Sequence, residues 1–152
     1  MFNYTKPWAL GLALCLAAGA AIAQEDTIGF IKTVKGNATV VSGEQSVPAV
    51  PGAALKKGQV LKTGRDASIG VMLKDNTMLS TGAHTELAVD DYQYAPGQEQ
   101  LGLVIRLAKG SLHYISGVIA KLRPESVSIK TPTSLIGVRG TEFVVSVDGD
   151  PS

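Results

Sequence analysis

Two histidines, His84 and His113, are the side chains in this sequence best suited to general acid–base chemistry. A serine nucleophile would need such a base within hydrogen-bond reach, and a third group to orient the base. Ser111 and His113 lie two residues apart on a predicted strand, so their side chains share a face about 7 Å apart. That distance is too long for a direct hydrogen bond, and the sequence contains no Gly-x-Ser-x-Gly motif. We predict ordinary strand residues here and no catalytic residues.

Metal chemistry has one candidate cluster, formed by His84, Glu86, Asp90 and Asp91. Their oxygen and nitrogen donors suit a hard cation, but their order is typical of a strand followed by a polar turn. Nothing in the spacing fixes a ligand geometry, so we predict no metal and no cofactor. Cys15 is the single cysteine of the chain and lies in the apolar N-terminal segment. If that segment is cleaved off, the remaining chain has no cysteine, and disulfides, thiolate chemistry and cysteine metal sites are excluded.

The N-terminal segment has the pattern of a secretory signal peptide. Lys6 supplies a short positive region, the run from Trp8 to Ala23 is almost entirely apolar, and polar residues follow from Gln24. The small residues Ala21 and Ala23 are suited to a cleavage site. An uncleaved membrane anchor is the alternative, although the run is shorter than the roughly 20 residues that span a bilayer. We therefore predict that residues 1–23 are a helical signal peptide and that the mature chain is periplasmic or secreted.

Cleavage would leave a chain with balanced charge. The full sequence has 14 Lys and Arg residues and 13 Asp and Glu residues, and Lys6 is removed with the signal. A chain without net charge has no electrostatic tendency to bind nucleic acid or an anionic bilayer. We expect neither a nucleic-acid partner nor a membrane span after the signal.

The remaining sequence predicts an all-β protein. Short runs rich in Val and Ile recur every 8–12 residues between Gly, Asn, Asp and Pro, and some alternate strictly between polar and apolar. We expect many short strands in a twisted two-layer β-roll, a solenoid-like arrangement or a sandwich. The predicted strands are Ile28–Val34, Asn37–Ser42, Val60–Thr63, Ser68–Leu73, Thr77–Ser80, Glu86–Val89, Tyr92–Tyr94, Leu101–Leu107, Ser111–Ile115, Val118–Leu122, Ser126–Lys130 and Thr141–Val147.

Several connections between these strands are also predicted from local composition. Lys74–Thr77 reads as a tight hairpin, because Asp and Asn tolerate the backbone angles of such turns. Lys109–Ser111 reads as a similar turn, and Val47–Gly52, with two prolines, as a linker or edge segment. The pattern Leu-x-Thr-Gly occurs at Leu61–Gly64 and again eighteen residues later at Leu79–Gly82, a sequence echo. The echo marks either successive rungs of a roll or a coincidence of composition.

Arg139 and the tyrosines each allow two readings. Arg139 lies in Gly-Val-Arg-Gly-Thr, which we interpret as a corner or bulge. We favour an internal role in which its five donors hold neighbouring carbonyl or carboxylate groups, over an exposed ligand-binding role. On that reading Arg139→Ala is destabilising and Thr133→Ala is not. Tyr92 and Tyr94 share a strand face, where they either fill the core, which we favour, or form an aromatic strip for a ligand.

Seven stretches, spread over three parts of the chain, resemble the FecR family. Val60–Gly64, Ser68–Leu73, Asp75–Thr77 and Thr85–Leu87 resemble its first half, while Leu107–Ser111 and Ser116–Ile119 resemble its middle. Ile129–Phe143 is similar to its most recognisable stretch, and the resemblance covers Phe30–Val147. Gln59, where the family usually has Asp, and Asp75-Asn76, where it often has Asp-Gly, are departures that fit the same geometry.

The resemblance implies a periplasmic all-β module, here one domain over residues 24–152. Well-known members are outer parts of transmembrane regulators that sense an outer-membrane receptor and control a sigma factor; we expect this chain to be a standalone module without that cytoplasmic region. The resemblance thus implies a non-catalytic protein that binds an unidentified envelope protein. The alternative is a polysaccharide-binding module using Tyr92, Tyr94 and Tyr114. The motif residues, to which we assign structural roles, are Thr131, Pro132, Gly137, Arg139, Gly140, Thr141 and Phe143.

The signal-peptide prediction can be checked directly. The chain is expressed from its own start codon, and the exported protein is analysed by N-terminal sequencing. We expect the exported protein to begin at Gln24, because Ala21 and Ala23 occupy the positions that a signal peptidase reads. Ala23→Arg should block this cleavage, and recovery of the unvaried chain with residues 1–23 still attached would favour the anchor.

Overall fold

A computed structural model describes residues 27–148, so the predicted signal peptide and the last residues lie outside the described part. Within that part the chain forms twelve strands and one short α-helix, which confirms the predicted all-β class. No helix among these residues is long and apolar enough to cross a membrane. The strands are β1 Thr27–Lys35, β2 Ala38–Ser42, β3 Gln45–Pro48, β4 Ala54–Lys56, β5 Val60–Thr63, β6 Ser68–Leu73, β7 Met78–Thr81, β8 Glu86–Ala95, β9 Gln100–Ile115, β10 Val127–Lys130, β11 Leu135–Gly137 and β12 Glu142–Val147, and the helix is α1 Val118–Leu122.

The strands form one curled sheet whose two halves share β9. In the half that we call the β1 half, the order is β12-β9-β7-β6-β1-β4; in the β2 half, it is β3-β2-β5-β8-β9-β10-β11. The sixteen residues of β9 pair first with β8 and β10, and then, beyond Lys109, with β7 and β12. All pairings are antiparallel except that of β10 with β9.

The hydrophobic core lies between the two halves. Alternate residues of β6 are buried, as are alternate residues of β9, and both sets belong to one cluster. Such alternation is expected where a strand buries one face. Ile69 and Val71 reach the core from the β1 half, and Leu103 and Ile105 reach it from the β2 half. The two halves therefore form the two layers that the sequence predicts.

Several segments differ from the sequence prediction, among them Glu86–Val89 and Tyr92–Tyr94, which were predicted as two strands and form the single strand β8. Val118–Leu122, predicted as a strand, is helix α1, and β3, β4 and β11 were not predicted. The predicted turn at Lys109–Ser111 is a corner inside the continuous strand β9, where Gly110 has φ +91°. Both sides of this corner keep pairing with neighbours, so the chain bends from one half into the other without reversing. Such pairing depends on strands distant in sequence, which local composition does not specify.

The corners between the halves stack on one another. The backbone N–H of Gly64 donates to Asn37 O (2.9 Å), and that of His84 donates to Gly64 O (3.1 Å). Asp66 and His84, which are eighteen residues apart, both have left-handed φ angles, of +56° and +51°. Leu61–Thr63 belongs to β5 in the β2 half and Leu79–Thr81 to β7 in the β1 half, so the two similar stretches lead into neighbouring corners from opposite halves and are not stacked rungs of one layer.

Buried threonines satisfy the backbone groups at these corners. Thr63 Oγ1 donates to Gly82 O (2.7 Å) and accepts from the backbone N–H of Thr85 (2.9 Å). Thr85 Oγ1 in turn accepts from the backbone N–H of Ser111 (3.1 Å). A buried backbone group without a partner costs about 1–3 kcal/mol, so these hydroxyls hold three corners together.

We predict that Thr63→Val lowers the free energy of unfolding by about 1–3 kcal/mol. The substitution keeps the side-chain shape but leaves Gly82 O and the Thr85 N–H without their hydroxyl partner. Urea denaturation measures the change, and Thr39→Val, on the outer face of neighbouring β2, is the matched control. Equal stability of the two variants would contradict the role assigned to Thr63.

Candidate functional site

The stretch from Thr131 to Phe143 carries the chain from one half of the sheet to the other. A tight turn after β10 is closed by the Thr131 N–H donating to Ser134 O (2.8 Å) and by the Ser134 N–H donating to Thr131 Oγ1 (3.0 Å). Pro132 and Thr133 are exposed at the tip of this turn. The chain then forms β11 in the β2 half and crosses over to β12 in the β1 half.

The crossover is anchored to the end of β9. The backbone N–H of Ser116 donates to Thr141 O (2.8 Å), and its hydroxyl donates to Gly140 O (3.0 Å). Gly140 has φ +98°, a conformation that residues with a side chain rarely adopt. Gly140 and Thr141 contribute to this anchor through their backbone carbonyls, and the Thr141 side chain is exposed.

Phe143 is half-buried and packs against the core. Its ring stacks on that of Tyr114 with centroids 4.8 Å apart and an interplanar angle of 24°. Tyr114 is 0% exposed, and burial raises the pKa of its phenol above the ordinary value. The aromatic pair joins β12 to β9.

Arg139 is exposed, so the internal role that we favoured for it is wrong. Among residues 27–148 it forms no ion pair with a carboxylate, and it lines a groove of about 530 Å³. The groove is lined by Glu125, Gly137 and Gly140 and has Val127 and Val138 beneath it. Arg139 is exposed because it lies after an edge strand, β11, and so has solvent beside it. The family motif thus has an inner side, with Phe143, and an outer side at this groove.

A buried carboxylate, that of Asp75, joins the elements behind the motif. Asp75 is 0% exposed and accepts four hydrogen bonds: from the Thr77 N–H and hydroxyl, the Tyr92 hydroxyl and the Ile119 N–H. Its backbone carbonyl also accepts from the Val118 N–H (2.8 Å). These bonds start helix α1 from a distant hairpin, which explains why the helix was not visible in the local sequence.

The tyrosines proposed for polysaccharide binding face the core. Tyr92 and Tyr94 are half-buried against it, as we favoured, and burial, followed by the neighbouring Asp75 carboxylate, raises the pKa of Tyr92 above its ordinary range. The Tyr92 hydroxyl also accepts from the Asp75 N–H (2.9 Å). Tyr114 is fully buried, so its proposed role as an exposed aromatic is wrong.

The histidines lie in separate surroundings. His84 is exposed in a corner with φ +51°. His113 lies on the outer face of β9, and its Nε2 is 2.5 Å from Glu142 Oε1. Ser111 lies two residues before His113, and its backbone N–H donates to Thr85 Oγ1. The described residues thus place no second candidate catalytic group next to His84.

The carboxylates of the candidate metal cluster lie in separate ion pairs. Glu86 Oε1 is 3.7 Å from Lys62 Nζ and 3.6 Å from Lys109 Nζ. Asp90 lies next to Arg106 and Asp91 next to Lys57, each at less than 4 Å. No group of three residues able to hold a metal is present within residues 27–148.

Comparison with known families identifies the chain's relatives. A family model described as FecR protein matches residues 59–152, which is more than half of the chain. The chain belongs to the FecR family. The FecR match begins at Gln59, whereas the resemblance that we predicted begins at Phe30. Residues 30–58 therefore lie outside the match. No curated protein and no solved structure matches the chain significantly.

The FecR match includes the groove at Arg139. It also includes the buried Asp75 with its hydrogen-bond donors Thr77, Tyr92 and Ile119, which we call the Asp75 node. Sequence reasoning identified Asp75 only as a turn residue, because an Asp-Asn pair in a hairpin is usually solvated. Its occurrence in one of the stretches that resemble FecR was the available signal. FecR domains are signalling or regulatory domains, and this chain therefore contains a domain of that class.

We predict that Asp75→Asn lowers the free energy of unfolding by roughly 2–4 kcal/mol. The amide offers one acceptor oxygen, so donors that now face the second carboxylate oxygen would meet an NH₂ group. Chemical denaturation measures the loss, and Asp90→Asn is the control, because its pair with Arg106 is on the surface. A loss from Asp75→Asn no greater than the control's would show that the node is not a stabilising centre.

Proposed function

We propose that this FecR-family chain is an exported, non-catalytic protein that acts by binding another protein in the cell envelope, as part of a signalling system. Membership of the FecR family is the observation that carries this proposal. The apolar segment at residues 8–23 and its small residues at 21 and 23 support export.

Free sheet edges support binding by protein–protein contact. Within the described residues, β3 and β4 each pair with one neighbour, as do β11 and β12. An edge strand presents unpaired N–H and C=O groups to which an extended segment of another protein can add. The stacked corners and the buried core give these edges a rigid support.

The positions of the polar residues also support a non-catalytic role. His113 is engaged with Glu142, and the carboxylates of Glu86, Asp90 and Asp91 are paired with lysine or arginine. The tyrosines that favoured polysaccharide binding pack against the core, so their support for that alternative is weak.

In-cell crosslinking tests this function. The full chain carries a C-terminal tag and is expressed in its source organism, and crosslinked envelope proteins are identified by mass spectrometry. We expect enrichment of a receptor or regulator component over an unrelated exported protein with the same tag. No enrichment from a chain that is exported and folded would contradict the proposal.

A further inference from the structure

Strand β11 is a short free edge at the outer side of the family motif. The Val138 N–H donates to Val127 O (3.3 Å), so these two residues form a hydrogen-bonded pair of the β10–β11 ladder. Such pairs alternate with pairs whose backbone groups point away from each other. Gly137, opposite Ser128, is therefore a position whose N–H and C=O point to the open side, and so is Leu135.

The backbone does not require a glycine at position 137, in contrast to the structural role that we assigned to Gly137 from the motif. Its φ is not in the left-handed region, and a Cβ built there would have no atom within 4 Å. Gly110, by contrast, has a positive φ and lies against Thr85. A glycine in a strand without such a reason is typical of a place where another backbone or a ligand comes close. Here the missing side chain leaves the free edge open to an approaching chain.

The positive charge of Arg139, next to this edge, favours a bound segment that carries a carboxylate. Arg139 lies two residues beyond the end of β11, is exposed, and has no carboxylate partner among residues 27–148. The nearest acidic residue of the groove, Glu125, lies 4.0 Å from Arg123. A guanidinium group binds a carboxylate through two parallel hydrogen bonds, which is the geometry that an aspartate or glutamate side chain would complete.

We propose that β11 and the adjoining groove bind an extended acidic segment of the partner protein. The segment adds as a further strand at Leu135–Gly137, and one of its Asp or Glu side chains pairs with Arg139. Strand β12 is also a free edge, but its charged residue is Glu142, which is engaged with His113. This inference rests on the proposed function, because it requires that the partner be a protein.

Site-specific photocrosslinking in cells tests the inference. The photoreactive residue p-benzoyl-phenylalanine replaces Leu135, Val144 on β12 or Met78 on β7, which are 68%, 66% and 38% exposed. The full, tagged chain is irradiated in the source organism, and the crosslinked segment of the partner is mapped by mass spectrometry. We expect a crosslink from position 135 to a segment that contains Asp or Glu.

Two matched pairs of variants probe the binding chemistry. Arg139→Ala should lower the crosslinking yield at position 135 about tenfold, the effect of losing one charged pair, whereas Arg139→Lys should retain part of it. Gly137→Val should block the approach, and Gly97→Val, at another open glycine in the Pro96–Gln98 turn, should not. Thermal unfolding should be unchanged in all four, because these positions are exposed.

The outcomes separate this inference from the proposed function. Crosslinks to a protein only from position 144 or 78 would overturn the docking site and leave the proposed function standing. No protein crosslink from any of the three positions, in a folded and exported chain, would count against both. A crosslink from position 135 that is insensitive to Arg139→Ala, or that maps to a segment without Asp or Glu, would overturn the acidic occupant.

Discussion

The buried carboxylate of Asp75 is the constraint on which much of this structure depends. Removing a charge from water is costly unless the charge is well hydrogen-bonded, and here no cation among residues 27–148 compensates it. Four hydrogen bonds from Thr77, Tyr92 and Ile119 replace the water. Because these donors come from a hairpin, a strand and a helix, the carboxylate is satisfied only when all three are in place.

The family motif is held to β9 by aromatic packing and by a hydrogen bond at the crossover. Phe143 stacks on Tyr114, whose buried ring lies in the same core, and Ser116 holds the crossover at Gly140. The inner side of the motif is therefore rigid, while its outer side presents an open strand edge. A preorganised edge of this kind lowers the entropic cost of binding an extended segment. This division gives one stretch of sequence both a structural and a proposed recognition role.

The stacked corners show a second way in which buried polar groups organise the fold. Where the chain passes between the two halves, the regular ladder is interrupted, and the hydroxyls of Thr63 and Thr85 take over the unpaired backbone groups. This corner network includes Thr63 of the first Leu-x-Thr-Gly copy but not Thr81 of the second, whose hydroxyl bonds to the backbone of Ile69. The network keeps the two halves aligned over a core without any tryptophan or cysteine in the described part.

The sequence by itself determined the all-β class, the hairpin at Asp75-Asn76 and the bounds of β5 and β6, because strand alternation and turn chemistry are local properties. Residues of the candidate site were also identified from the motif, including Gly140 and Phe143. Only the tertiary structure decided that Val118–Leu122 is helical and that Arg139 is exposed. The donor that starts this helix, Ile119, meets a carboxylate 44 residues earlier in the chain. Burial and long-range pairing depend on which elements meet, and no local pattern encodes that.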